Sequence, residues 1–170
     1  KAGIRTNQND SSLHHNLGWA YQTDGRLEEA ISEFERVIEL NPKNANAYFN
    51  IGSILEQQGH LENALFMYQE AVNRSPNDKT PHYNLGNTLA KLGKLTEAVF
   101  AFQKAIQIDP YFVNAHYNLG FIYAKQKKRA LAITAYQKAL KLNPNDASTY
   151  YNVGFLYAEQ NDPSIAIEWY

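Results

Sequence analysis

The chain has 170 residues, 44% of them hydrophobic and 19% charged, with 16 basic against 17 acidic side chains and no cysteine. That apolar content and near-neutral charge exclude a disordered tail and a surface built to neutralise nucleic-acid phosphates, and the missing cysteines exclude disulfides, thiolate metal sites and cysteine nucleophiles. No apolar run approaches the roughly 18 residues that cross a bilayer, so the chain reads as soluble and is expected in the cytoplasm.

Taken in order, residues 1–10 read as a lead-in, the tail of a preceding repeat, and Asp10 stands where a helix from Ser11 needs an N-cap. Residues 11–44 read as two amphipathic helices with Gly25 at the turn between them and Pro42 beyond the second. Residues 45–78 repeat the plan with Asn44 as cap, Gly59 and Pro76, and residues 79–112 with Asp78, Gly93 and Pro110. In 45–78 the apolar residues fall three and four apart, at Tyr48, Ile51 and Leu55 and then Leu61, Leu65, Tyr68 and Val72, which is the helical period. In residues 113–146 Phe112 breaks the capping series and the turn reads Lys127-Lys128-Arg129 without glycine, so a less ideal turn is expected. Residues 147–170 form an incomplete fifth copy: Asp146 is the cap and Asn161-Asp162-Pro163 the turn, with Asp162 capping and Pro163 at the first helical position. Its second helix has about two turns before Tyr170, which leaves Trp169 and Tyr170 without a following repeat. No polar terminal cap is visible, so a longer array is expected.

The phrase Asn-(Leu/Ile/Val)-Gly occurs at Asn16, Asn50, Asn84, Asn118 and Asn152, always 34 residues apart. The same step joins Ala30, Ala64, Ala98, Ala132 and Ala166, and also Phe34, Tyr68, Phe102, Tyr136 and Tyr170. A glycine inside each first helix (Gly18, Gly52, Gly86, Gly120, Gly154) costs about 0.8–1 kcal/mol against alanine. Close approach of the partner helix is expected to offset it, with the alanines completing the contact and the aromatics filling the space between repeats.

With these residues in hand, the chain resembles the tetratricopeptide repeat family, whose pattern is W-x2-L-G-x2-Y, then A-x3-F, then P, on a 34-residue unit. In the fourth repeat the matching run is His116, Leu119, Gly120, Tyr123, Ala132, Tyr136, Ala139 and Pro144; the tryptophan place departs, being held by His14, Tyr48, His82, His116 and Tyr150. The resemblance implies an all-α fold, a right-handed superhelix or solenoid of stacked helix-turn-helix repeats. It also implies a concave groove, lined by the first helices, that takes an extended peptide or partner helix.

Projected on that groove, the constant member is the asparagine ladder Asn16, Asn50, Asn84, Asn118 and Asn152. One residue earlier stand His15, Phe49, Tyr83, Tyr117 and Tyr151; three residues later stand Trp19, Ser53, Asn87, Phe121 and Phe155. A carboxamide offers a carbonyl and two N–H donors, so the ladder suits a peptide backbone of any sequence. The same asparagines suit hydrogen bonds between neighbouring first helices, and both readings stand here. The aromatics Trp19, Phe121 and Phe155 likewise suit either groove contact or packing on a neighbour. Charges on the stripe are Glu56, Lys91, Lys125 and Glu159; Lys91 and Lys125 read either as solvated helix ends or as a preference for an acidic partner.

The two-carboxylate clamp of chaperone-binding members is absent, since its lysine place holds His15, Phe49 or Tyr83 and its arginine place Asn84, Asn118 or Asn152. That argues against chaperone C-terminal tails as partners. The groove is more similar to the asparagine-lined arrays that precede the catalytic domain of O-linked N-acetylglucosamine transferases. No metal-binding or nucleophile motif is present, and the histidines His14, His82 and His116 fall on one packing place, so neither an enzyme nor a cofactor is expected. The basic run from Lys125 to Arg129 is too local for nucleic acid. The expectation is a non-catalytic interaction scaffold for a protein or peptide; its rivals are the substrate-presenting arm of a larger enzyme and an array that self-associates through its C-terminal end.

Overall fold

The computed structural model describes residues 10–159 and 163–170; the expected lead-in at 1–9 and the Asn161-Asp162 turn lie outside them. The described residues form ten α-helices and no strand. In the order of first and second helices these are α1 (Ser11–Thr23) and α2 (Leu27–Leu40), α3 (Ala45–Gln57) and α4 (Leu61–Arg74), and α5 (Lys79–Lys91) and α6 (Leu95–Ile108). They are followed by α7 (Val113–Lys125) and α8 (Arg129–Leu142), and by α9 (Ala147–Ala158) and α10 (Pro163–Trp169).

The ends of these helices follow from single residues. Asp10 accepts from the Ser12 N–H (2.9 Å), Asn44 from the Ala47 N–H (3.2 Å) and Asp78 from the Thr80 N–H (2.9 Å), so each satisfies an otherwise orphaned donor. Asp146 holds the same place before α9, but its carboxylate takes the Thr149 hydroxyl. Phe112 has no capping side chain to offer, as expected. The second helices stop two residues short of Pro42, Pro76, Pro110 and Pro144.

Hairpin turns close with a left-handed residue after the first helix. Gly25, Gly59 and Gly93 have φ of 80°, 82° and 76°. The next N–H reaches back to the helix, as Lys94 does to the Leu89 carbonyl at 2.9 Å, in the manner of a Schellman cap. The glycine-free turn of the fourth repeat keeps this geometry rather than relaxing it. Lys127 occupies the glycine place at φ 59°, and the Lys128 N–H reaches the Tyr123 carbonyl at 2.9 Å. A left-handed lysine is strained, so Lys127→Gly is expected to raise stability by about 0.5–1 kcal/mol, the relieved strain outweighing the added chain entropy. Urea unfolding checks this; no gain in midpoint would contradict it.

The chain divides into two compact halves, Lys1–Pro81 and His82–Tyr170. In the N-terminal half Ala30, Phe34, Val37, Ala47, Ile51 and Ile54 form one buried cluster across α2 and α3. In the C-terminal half Phe102, Ile122, Tyr136, Ala139 and Val153 are buried to 2% exposure or less. Each large side chain so buried contributes roughly 1.5–3 kcal/mol.

The helix-interior glycines are buried for a reason that differs from the expected one. A Cβ on Gly86 would stand 2.8 Å from Cε1 of Phe102, and the other four glycines face Phe34, Tyr68, Tyr136 and Tyr170 at 2.8–3.0 Å. The ring of the second helix, not the alanine, lies nearest the glycine. The aromatic therefore fills space inside its own repeat, and the first helix can carry no side chain there.

Candidate functional site

The residue ahead of each ladder asparagine is committed in the same way in every repeat. His15–Phe34, Phe49–Tyr68, Tyr83–Phe102, Tyr117–Tyr136 and Tyr151–Tyr170 pair with ring centroids 5.6, 5.7, 5.9, 5.6 and 5.8 Å apart. Phe49, Tyr83 and Tyr117 are consequently half-buried, while Tyr151 is 59% exposed. The His15–Phe34 pair is edge to face and the other four are tilted by 47–57°, and rings packed in this way present a preorganised surface.

In the C-terminal half the ladder forms cross-helix hydrogen bonds. Asn118 donates from Nδ2 to the Tyr83 hydroxyl at 3.1 Å and to Oδ1 of Asn87 at 2.7 Å. Asn152 donates from Nδ2 to the Tyr117 hydroxyl at 3.1 Å, which ties α9 to α7. Both N–H bonds of Asn118 are thereby occupied, leaving its carbonyl oxygen as the group it can offer outward. Asn84 also has a partner. In the N-terminal half, Asn16 is exposed and Asn50 half-buried, and the preceding residues His15 and Phe49 have no hydroxyl to accept from an asparagine.

Three residues after the ladder the side chains face outward. Trp19 is 61% exposed in the N-terminal half; Phe121 and Phe155 are 42% and 48% exposed in the C-terminal half. The ammonium of Lys125, one turn beyond Phe121, sits 4.8 Å from the centre of that ring. Lys91 is exposed at the end of α5 and has an interaction of its own. Glu56 is drawn into the fold, its carboxylate accepting from the Tyr68 hydroxyl at 2.8 Å. Burial, with the Glu56 charge adding to it, pushes the Tyr68 phenol well above the usual tyrosine range.

The histidines take up packing and turn contacts. His14 Nδ1 lies 2.6 Å from Oε2 of Glu33, His82 is buried, and His116 Nε2 lies 3.0 Å from the Pro110 carbonyl. Among the described residues no group of three or more His, Asp or Glu side chains converges as a metal site would need. None of the helices there is long and apolar enough to cross a membrane.

A cleft of about 520 Å³ opens in the C-terminal half between Ala124, Lys125, Lys127, Arg129, Leu156 and Glu159. Arg129 Nη2 contacts Glu159 Oε2 at 3.4 Å. Arg129 Nε is buried with no acceptor among the described residues. In the sequence these basic residues form one run; the fold sets that run beside α9, where together they line a cleft. The lysine standing in a glycine place was the available signal.

Ten helices paired by short turns, with buried small residues on a fixed step, define the class: an all-α array of helical hairpins. Sequence profiles described as "TPR repeat" match residues 20–59, 52–93 and 86–127, and profiles described as "Tetratricopeptide repeat" match 113–146 and 135–168. The chain belongs to the tetratricopeptide repeat family, and its fold is the helix-turn-helix solenoid of that family. It is similar to MamA 41-end from Desulfovibrio magneticus RS-1 at 22% identity, with 94% of this chain and 90% of that chain covered and a TM-score of 0.86. A second solved structure is YrrB, described as a TPR protein with an unusual peptide-binding site, at 23% identity, 98% and 86% coverage and a TM-score of 0.85. PilF of Pseudomonas aeruginosa matches at 22% identity, 94% and 72% coverage and a TM-score of 0.80. No curated protein sequence is significantly similar to the chain.

Proposed function

We propose that this chain is a non-catalytic scaffold that binds an extended peptide or partner helix along its first helices, repeat by repeat over 11–44, 45–78, 79–112, 113–146 and 147–170. The observation that carries the reading is the outward aromatic set. Trp19, Phe121 and Phe155 stand on first helices at one repeat place, are 61%, 42% and 48% exposed, and lie beside a ladder of carboxamides. Exposed aromatics cost little entropy to bury and give a partner apolar contact. Asparagine carbonyls such as that of Asn118 serve the partner's backbone N–H groups, while the amide nitrogens hold the helices in register. The peptide-binding site named for YrrB supports the same use of the fold. An arm that presents substrates to a glycosyltransferase would use this same surface, and the asparagine stripe keeps that setting within the reading.

Peptides selected from a random library on the 170-residue protein provide the test. For the Phe121→Ala/Phe155→Ala variant their affinity is expected to fall about 10–100-fold, since each of the two lost aromatic anchors is worth on the order of 0.7–1.4 kcal/mol. Phe66 and Phe100, which are exposed on the second helices α4 and α6, serve as the control pair. Selected peptides that tolerate loss of Phe121 and Phe155 but not of Phe66 and Phe100 would place binding on the other face and overturn the reading.

A further inference from the structure

Phe121 and Lys125 stand one turn apart on α7, and Phe155 and Glu159 one turn apart on α9, so each helix carries an exposed ring followed by a charge on the same face. Asn152 and Tyr117 bind the two helices together at 3.1 Å. Beyond the rings lies the cleft, where the described lining residues include the cations Lys125, Lys127 and Arg129 and the anion Glu159. The ion pair of Arg129 with Glu159 is long at 3.4 Å, and the Glu159 side chain is 49% exposed. The guanidinium also has a buried Nε–H with no acceptor among the described residues. An unpaired buried donor is uncommon because it forfeits its hydration with nothing in exchange, and a guanidinium donor answers a carboxylate more strongly than a neutral acceptor.

We infer that this cleft is a carboxylate site: it holds an acidic side chain of the bound peptide while that peptide's neighbouring apolar side chain lies on Phe121 and Phe155. The inference rests on the peptide-binding reading above and adds a sequence preference to it, an apolar residue next to an acidic one. The guanidinium of Arg129, whose side chain is 34% exposed, donates to the carboxylate, and Lys125 and Lys127 supply the opposing charge. Glu159 works against the ligand, since its own carboxylate competes for Arg129. The Lys125 ammonium already lies over the Phe121 ring, so the apolar and anionic parts of the surface are continuous. A free inorganic anion would engage the same cations without needing the rings, which separates the two sources experimentally.

The test uses the peptide acetyl-Leu-Phe-Asp-Glu-Leu-amide and its uncharged counterpart acetyl-Leu-Phe-Asn-Gln-Leu-amide, titrated into 15N-labelled protein. The acidic peptide is expected to move the amide signals of Lys125 to Arg129 together with those of Phe121 and Phe155, and to bind about tenfold more tightly than the uncharged one. Lys127→Gly is expected to lose about fivefold of that affinity while folding at least as well as the parent, because it relieves the left-handed strain. Glu159→Gln is expected to tighten binding by a similar factor, as the competing charge disappears. Equal affinity for the two peptides, or an acidic peptide indifferent to both Lys127→Gly and Glu159→Gln, overturns the carboxylate site. If the uncharged peptide still moves Phe121 and Phe155 in that event, the groove reading survives its loss. Inorganic phosphate that moves the Lys125 to Arg129 signals as strongly as the acidic peptide does, at equal concentration, also overturns it in favour of a simple anion site.

Discussion

Phe102→Ala is expected to cost about 3–5 kcal/mol. The ring is 1% exposed and its edge lies 2.8 Å from where a Cβ on Gly86 would stand. Truncating it removes the transfer energy of a whole aromatic and leaves a cavity between α5 and α6. The reciprocal substitution, Gly86→Ala, sets two effects against each other. Alanine gains about 1 kcal/mol of helix propensity, while a methyl forced against a ring edge costs roughly 1–3 kcal/mol. A net loss is expected. The sign should reverse once the ring is gone: in a Phe102→Leu background, Gly86→Ala is expected to stabilise by several tenths of a kcal/mol to about 1 kcal/mol. A double-mutant cycle by urea unfolding reads the coupling directly, and strictly additive values would refute the ring contact as the reason for the glycine.

Arg74→Ala is the second large effect, on the order of 2 kcal/mol. Its guanidinium donates to the Pro42 carbonyl from Nε at 2.6 Å, to the Glu70 carbonyl and carboxylate from Nη1 at 2.9 and 2.7 Å, and to the Tyr48 hydroxyl from Nη2 at 2.8 Å. The same group covers the Tyr48 ring at 3.8 Å. Its side chain is 22% exposed, so solvent discounts the ion pair, while the planar fork satisfies four acceptors at once. Arg74→Lys keeps one point charge and is expected to recover less than half of the loss. Recovery of the full stability by lysine would mean that charge alone, not the fork, holds α4 to the Pro42 turn.

Much of this molecule was legible as sequence because its period is local. Asp10, Asn44 and Asp78 cap helices, and Gly25, Gly59 and Gly93 take the left-handed turn, through groups only a few residues away. A 34-residue step that returns the same residue types five times leaves only one repeating hairpin plan. Trp19, Phe121 and Phe155 stand exposed on first helices because the helical period keeps them off the packed face. The partners of Asn118 were not legible. The ladder is the same residue in every copy, while its acceptors, Tyr83 and Asn87, vary from copy to copy and lie 35 and 31 residues away in the chain. The role of Arg74 was illegible in sequence for a similar reason. It stands where other repeats place Leu40, Ile108 and Leu142, and only the fold brings Tyr48 and the Pro42 carbonyl to it.

By itself, then, the order of residues determined the helices, their ends, their hairpin pairing and the family, because hydrogen bonds and steric limits within one or two turns decide those. Tertiary structure alone decided which atoms face each helix-interior glycine, how the asparagine amides are occupied, and that Lys125, Lys127 and Arg129 share a cleft with Glu159. Those outcomes depend on groups 16 residues apart for the glycines and 30 to 35 apart for the amides and the cleft, and no periodic pattern specifies rotamers or charge pairing across such gaps.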